Sequence, residues 1–400
     1  MAGGADLRTD VDLDGVRAYR LARTRAALID AGLDAVVLFD PLNLRYATGC
    51  RNMQIWTSHH FTRYVFVPAE GPVVLFDYGG AQHMSDGLGT IDETRPAISW
   101  DFFGSGARAD EHARAWAAGI IELLHETCGV DARLGIDRAD LLPLLELQRR
   151  GVALADAKGP MDMARCIKSD GEVALMRESF EVSTGAIAAM RKEAVPGVSE
   201  NYLLSVMNQY NLANGGEHQE TRLLVSGHRT NPWFNEASEK VVEAGDMLVF
   251  DTDLIGPHGI FADQTRSFVV GDVAPTDEQR RLYAAAHEEL HYNLDLLRPG
   301  VGLEEFVEKA FPMPEEFVAR RYAEIVHGIG LGAEYPFVYY PQDAPHWQYP
   351  GELRAGMTVC VESYVGREDG VEGVKLEQPV LITDDGPVPL TEAPFELDYL

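Results

Sequence analysis

The chain has 400 residues, with 63 acidic side chains against 34 basic ones and a formal net charge of −29 at pH 7. That length is enough for a sizeable core and two or three domains of roughly 100–200 residues each, and a hydrophobic share of 46% with 24% charged residues excludes a disordered or collagen-like chain. So large a negative charge repels phosphate backbones and anionic lipid, which argues against nucleic acid or a membrane as partner.

In chain order, Leu21, Leu28 and Ile29 fall on one side of a helix that Gly32 closes, and DAVVLFD (34–40) reads as a short buried strand. TRYVFVPA (62–69) and PVVLFDY (72–78) flank a Glu-Gly turn as a hairpin. A helix near 109–127 and a strand at 133–138 complete an α/β domain with a mixed sheet, predicted over residues 1–162. The stretch MARCIKSDGEVALMRES (163–179) is a junction, where Ser169 and Glu172 form a capping box. Beyond it Val173, Met176, Phe180, Ile187 and Met190 make one apolar helical face. Ser199 is a second N-cap, without the box. After residue 215 come strands ETRLLVSG, DMLVFDTDLI and GIFADQTRSFVVG, helices near 276–297 and 314–323, and strands at 357–366 and 373–383. Residues 163–400 therefore read as an α+β domain with helices packed on an antiparallel sheet.

No apolar run approaches the roughly 18 residues of a membrane span, and MAGGADLRTDVDLDG contains no apolar segment of signal-peptide type. Cys50, Cys128, Cys166 and Cys360 lack CxxC spacing. A reducing cytoplasm is the expected setting.

The chemistry shows in carboxylates placed inside apolar strands. Asp251 and Asp253 interrupt LVFDTDLIG, Asp263 interrupts GIFADQTRSF, Glu362 interrupts TVCVESYVG and Glu377 interrupts GVKLEQPVLI. A buried carboxylate needs a cation or strong donors, because desolvation costs several kcal/mol. One such acid is commonly just salt-bridged; repetition in four strands is harder to explain that way. His327, in IVHGIGLG, adds an imidazole. Oxygen and imidazole donors suit two divalent first-row ions, Fe, Mn, Zn or Co, which polarise a substrate oxygen and acidify bound water.

The ordered motifs FDTD, ADQTRSF, HGIGLG, CVES and KLEQPVLIT resemble the pita-bread superfamily of prolidase, aminopeptidase P, methionine aminopeptidase and creatinase. The resemblance spans essentially the whole chain. It implies an α/β N-terminal domain of creatinase/prolidase type, an α+β pita-bread catalytic domain, a homodimer, and two divalent metal ions held by Asp253, Asp263, His327, Glu362 and Glu377. Asp253 lies ten residues before Asp263 where eleven is usual, and Asp251 lies twelve before it, so one residue of irregularity would bring both to the metals.

Two histidines of the peptidases are absent. Trp233 stands where a Pro-His pair is expected, and Glu334 stands seven residues after His327 where the peptidases have histidine. Both losses remove donors that stabilise a tetrahedral intermediate. The same departures resemble the metal-dependent dimethylsulfoniopropionate lyases, as do FDPLNLRYAT, NMQIW, ETRLLVSGHRTNPWF and the GLxxEYP pattern. That resemblance adds Asp251 to the ligands, makes Tyr322, by its match to the branch's tyrosine, a candidate catalytic residue, and implies elimination from a small zwitterion to acrylate and dimethyl sulfide. The branch's proton-abstracting Asp is replaced here by Ala333, leaving Glu334 or a metal-bound hydroxide as the base.

Trp233, Tyr322, Arg229 and Trp56 are the candidate substrate-binding residues, the aromatic faces for a cationic group and the arginine for a carboxylate. Arg266 is assigned to a carboxylate or a structural salt bridge. His59 and His60 are placed in a loop, and His218, His258 and His346 in solvent. The alternatives are a metal-dependent C–N hydrolase, of Xaa-Pro dipeptidase type or acting on a small amidine or cyclic amide, and a non-catalytic ligand-binding relative.

Overall fold

The computed structural model describes residues 9–400, which divide into two compact units, one ending at Arg165 and the other running from Cys166 to Leu400. In the first unit, β1 (Ala35–Leu38), β2 (Tyr64–Pro68), β3 (Val74–Asp77), β4 (Glu93–Pro96), β5 (Arg133–Ile136) and β6 (Ala153–Asp156) form one sheet in the order β4-β3-β2-β1-β5-β6. β1 pairs antiparallel with β2 and parallel with β5, so the sheet is mixed, as the alternating pattern predicts. Helix Ala109–Cys128 lays Ala113, Trp116, Ala117, Ile120 and Leu124 into the core with Val37, Phe66, Trp100 and Leu134. That is the three- and four-residue recurrence of an amphipathic helix.

Helix Leu13–Asp30 faces inward differently from the sequence expectation. Its buried residues are Val16, Arg20, Thr24 and Leu28, while Ile29 is 59% exposed. A strict four-residue step carries the stripe through a polar pair, and apolar character alone misplaces the face by about one residue, or 100°.

In the second unit, Ser169 caps helix Asp170–Glu193 through the expected capping box with Glu172. Met176, Phe180, Ile187 and Met190 are buried on it, and Val173 is only half-buried. Helix Glu200–Ala213 follows, capped by the Ser199 hydroxyl. The strands β7 (His218–Gln219), β8 (Leu224–Ser226), β9 (Met247–Asp251), β10 (Leu254–Ile255), β11 (Phe261–Ala262) and β12 (Thr265–Val269) make two three-stranded sheets, β11-β10-β7 and β12-β9-β8. Helix Asp277–Asp295 comes next. The helix expected at 314–323 is one turn, Glu315–Val318: it starts directly after Pro314, as predicted to within a residue, and is lost at its C-terminal end. A short helix at Leu303–Lys309 was not anticipated.

A five-stranded antiparallel sheet, β14-β13-β15-β16-β17, completes the unit from β13 (Val326–Ile329), β14 (Ala333–Val338), β15 (Thr358–Gly366), β16 (Gly373–Thr383) and β17 (Gly386–Pro389). Ser267 Oγ donates to the Lys375 carbonyl at 2.7 Å, tying β12 to β16. Among the described residues no helix is long and apolar enough to cross a membrane.

Candidate metal centre

β9 and β12 run antiparallel with Asp251 opposite Thr265. β9 stops at Asp251; Asp253 takes a left-handed backbone, φ +41°, before β10 starts at Leu254. Thr252 is held through the kink, its hydroxyl donating to the Ala262 carbonyl at 2.7 Å and accepting from the Gln264 amide at 3.0 Å. The irregularity brings Asp251, Asp253 and Asp263 together, with one carboxylate oxygen of each within 4.8 Å of the others.

β15 and β16 place Glu362 directly opposite Glu377. Like charges facing across a ladder repel unless a cation lies between them. His327, on β13, points its Nε2 at this pair, 3.4 Å from Glu362 Oε1 and 3.7 Å from Glu377 Oε1, and lies 3.8 Å from Asp263 Oδ2. Its Nδ1 faces the Gly328 carbonyl at 3.0 Å, which orients the ring. The pairing register of β13 and β14 shifts between His327 and Gly328, and a Cβ at residue 328 would lie 2.3 Å from the Tyr335 carbonyl oxygen. Glycine is required at this close approach. All six predicted ligands, Asp251, Asp253, Asp263, His327, Glu362 and Glu377, are therefore buried in one cluster.

Lys375, Cys360 and Glu324 also belong to this cluster and stand outside the predicted set. Lys375 has no exposed side-chain surface; its Nζ is 2.6 Å from Asp251 Oδ2, 2.7 Å from Glu362 Oε2 and 2.9 Å from Thr265 Oγ1. The period-two alternation of a strand puts it on the same face as Glu377, which is the signal that could have found it. Cys360 lies with Asp263, His327 and Glu377 in one group, its thiol directed at the Asp263 carbonyl at 3.7 Å. Burial raises that thiol well above its usual value, so the donors here remain oxygen and imidazole.

The electrostatics show a surplus of negative charge. Burial alone would raise Asp251, but the Lys375 ammonium, with further hydrogen bonds, holds it down to about 2. Asp253 and Asp263 are pushed well up by burial and by the Asp251 charge, and Glu377 rises to about 7 through burial and Glu362. Desolvation would lower His327, yet its carboxylate partners raise it. Glu377 Oε1 and Asp263 Oδ1 are buried without a hydrogen-bond partner. Orphaned carboxylate oxygens converging with one imidazole fit divalent first-row cations.

Tyr322 and Trp233 line the cluster. Lys375 Nζ lies 4.7 Å from the Tyr322 ring centroid and 5.9 Å from that of Trp233, and Phe234 stacks on Tyr322 at 5.3 Å. Trp233 Nε1 is buried with no acceptor.

Other expectations need correction. Glu334 is not part of the acid–imidazole groups: its buried carboxylate pairs with Lys168 and packs against Gly330. Arg229 pairs with buried Glu200 at 3.2 Å and donates to the Glu236 carbonyl at 2.6 Å, so it neutralises a structural acid instead of facing a substrate. Arg266 is buried and forms no ion pair among the described residues; it binds the carbonyls of Glu377, Thr265 and Ala393 and stacks over Phe395. His258 is not solvated but pairs with Glu178 at 3.0 Å. Trp56 belongs to the first unit, where its ring packs at a tilt against His60, 4.2 Å between centroids, beside Phe103; it is 43% exposed. His59 closes a short helix, Gln54–His59, instead of lying in a loop.

The buried acid–imidazole centre on antiparallel strands, behind an α/β N-terminal unit, defines a metal-dependent hydrolase or lyase of the pita-bread class. Residues 174–384 match the model of metallopeptidase family M24, and residues 20–167 match the creatinase/prolidase N-terminal domain. The chain belongs to the M24 family. It is 37% identical over 390 residues to a dimethylsulfoniopropionate lyase, DddP, of Roseovarius nubinhibens, covering 96% of this chain and 87% of that one. It is 27% identical over 236 residues to an Xaa-Pro dipeptidase of Pyrococcus furiosus, covering 58% and 65%. In fold it is similar to the solved prolidase of Pyrococcus horikoshii, with a TM-score of 0.74 at 22% identity, covering 94% of this chain and 99% of that one.

Proposed function

We propose that the chain is a dinuclear-metal enzyme that cleaves a small zwitterion, with dimethylsulfoniopropionate as substrate and acrylate and dimethyl sulfide as products. The observation that carries this reading is full-length similarity to a lyase of that name joined to a ligand cluster walled by Trp233 and Tyr322. Asp251, Asp253, Asp263, His327, Glu362 and Glu377 would hold the two ions, whose chemistry is to bind the substrate carboxylate and acidify the adjacent C–H. The orphaned Trp233 indole N–H is a donor for that carboxylate, and the stacked Tyr322 and Phe234 rings offer faces to a sulfonium group. Lys375 holds Asp251 and Glu362 in place. Glu334 acts in this reading as the structural partner of Lys168, so the ions would also have to supply the base that takes the proton released with dimethyl sulfide.

The hydrolase alternative has one specific observation behind it. Ala333, at the start of β14, carries no group that accepts a proton where the resemblance to the lyases expects an Asp. The N-terminal unit as a creatinase-type domain over 1–162, a homodimer and a cytoplasmic setting complete the reading.

The test is to reconstitute the protein with Fe, Mn, Zn or Co and offer dimethylsulfoniopropionate and glycyl-proline in parallel. Acrylate release is expected. Proline release without acrylate would move the assignment to a C–N hydrolase, and release of neither would reject both substrates.

A further inference from the structure

Glu324, three residues before His327, plays no part in the ligand set described above. Its carboxylate stands with His327 and Glu362 in a group whose donor atoms lie within 4.8 Å of one another. Three donors bonded to one ion at about 2.0–2.2 Å sit on this scale of separation. Glu324 is half-buried, whereas its two companions are fully buried, so it approaches from the solvent side. Among the described residues it makes no hydrogen bond and no ion pair. Lys375, whose charge acts on Glu324, is engaged by Asp251 and Glu362. Beside this group Glu377 Oε1, wholly buried and without a hydrogen-bond partner among the described residues, lies 3.7 Å from the same imidazole nitrogen, so the surplus of acid there is not met by protein donors. The carboxylates gathered around this one imidazole, Glu324, Glu362 and Glu377, repel one another, and their charge exceeds what a single imidazole can balance unless a further cation joins them.

We propose that Glu324 is a further metal ligand, closing the solvent side of the ion held by His327 and Glu362. It is the one ligand of that ion reached by solvent, and so the one that an incoming substrate oxygen can replace without disturbing the buried donors. This rests on the dinuclear reading of the site and is independent of which substrate is cleaved.

The experiment titrates Mn²⁺ and Zn²⁺ into chelator-stripped full-length protein, following heat by calorimetry and metal content by elemental analysis. Wild type, Glu324→Gln and Glu324→Asp are compared, and circular dichroism of the stripped forms checks that each is folded. Two ions per chain are expected for wild type. In Glu324→Gln one ion should bind as before while the other weakens by about tenfold or more. Glu324→Asp, with a carboxylate on a shorter arm, should recover part of the loss. Unchanged affinity for both ions in Glu324→Gln overturns the proposal and leaves the dinuclear reading standing. A wild type that takes up fewer than two ions overturns the dinuclear reading and this proposal with it.

Discussion

Glu334 illustrates how a residue at a promising position can be purely structural. Its carboxylate and the Lys168 ammonium are nearly inaccessible, with 1% and 4% of their side chains exposed. Removing one member of such a pair strands a buried charge, which typically costs about 3–5 kcal/mol. Glu334→Gln and Lys168→Met are each expected to lower the stability of metal-loaded protein by that order in urea denaturation. The double variant should recover much of the loss, because neither charge then remains. Full stability in Glu334→Gln with lost turnover would return Glu334 to a catalytic role. Lys375 is a different kind of buried cation. It sits among acids that outnumber it, and so lowers the charge of the centre without neutralising it.

At the scale of elements, helix Asp277–Asp295 supports β15 from behind. Glu289, wholly buried on that helix, accepts from Tyr340 Oη at 3.0 Å and Ser363 Oγ at 2.6 Å. Burial pushes its carboxyl up to about 7, against the pull of these two hydrogen bonds. A folded value above the unfolded one of about 4.3 means that the native state holds the proton more tightly. The stability this group contributes is complete below about pH 4 and is lost as pH rises through about 7. Glu289→Gln should therefore flatten the decline of urea stability between pH 5 and pH 8. An unchanged slope would refute the assignment.

What was legible in the sequence follows from this scale. Carboxylates in apolar strands stand out because period-two burial leaves them no solvent, and the capping box at Ser169 is written in contiguous residues. The pairing of Glu362 with Glu377 follows from two strands joined by a short turn. Lys168 with Glu334, Arg229 with Glu200 and the proximity of Glu324 to Glu362 join segments distant in sequence, and no local periodicity encodes them. The helix expected at 314–323 ends early, at Val318, and the local pattern of residues 319–323 does not announce that end.

For the whole molecule, the charge of −29 divides into two populations. Most acids lie on the surface, where they favour solubility and oppose association with polyanions. The smaller population is enclosed with Lys375, and its repulsion works against the native state until cations join it. The second unit thus encloses a buried charged cluster as well as two apolar ones.

The meeting of three sheets at this centre has a topological consequence. Lys375, two residues before Glu377 on β16, is separated from Asp251 on β9 by 124 positions along the chain, so ions held by the acids of both strands would act as a clasp on a long loop, in the manner of a cross-link. Removing the ions should then loosen distant strands together. In hydrogen exchange, amides of β9, β12, β15 and β16 are expected to lose protection in concert on chelation, while those of β1 and β5 keep theirs. A loss confined to the residues beside His327 would show that the clasp carries no load.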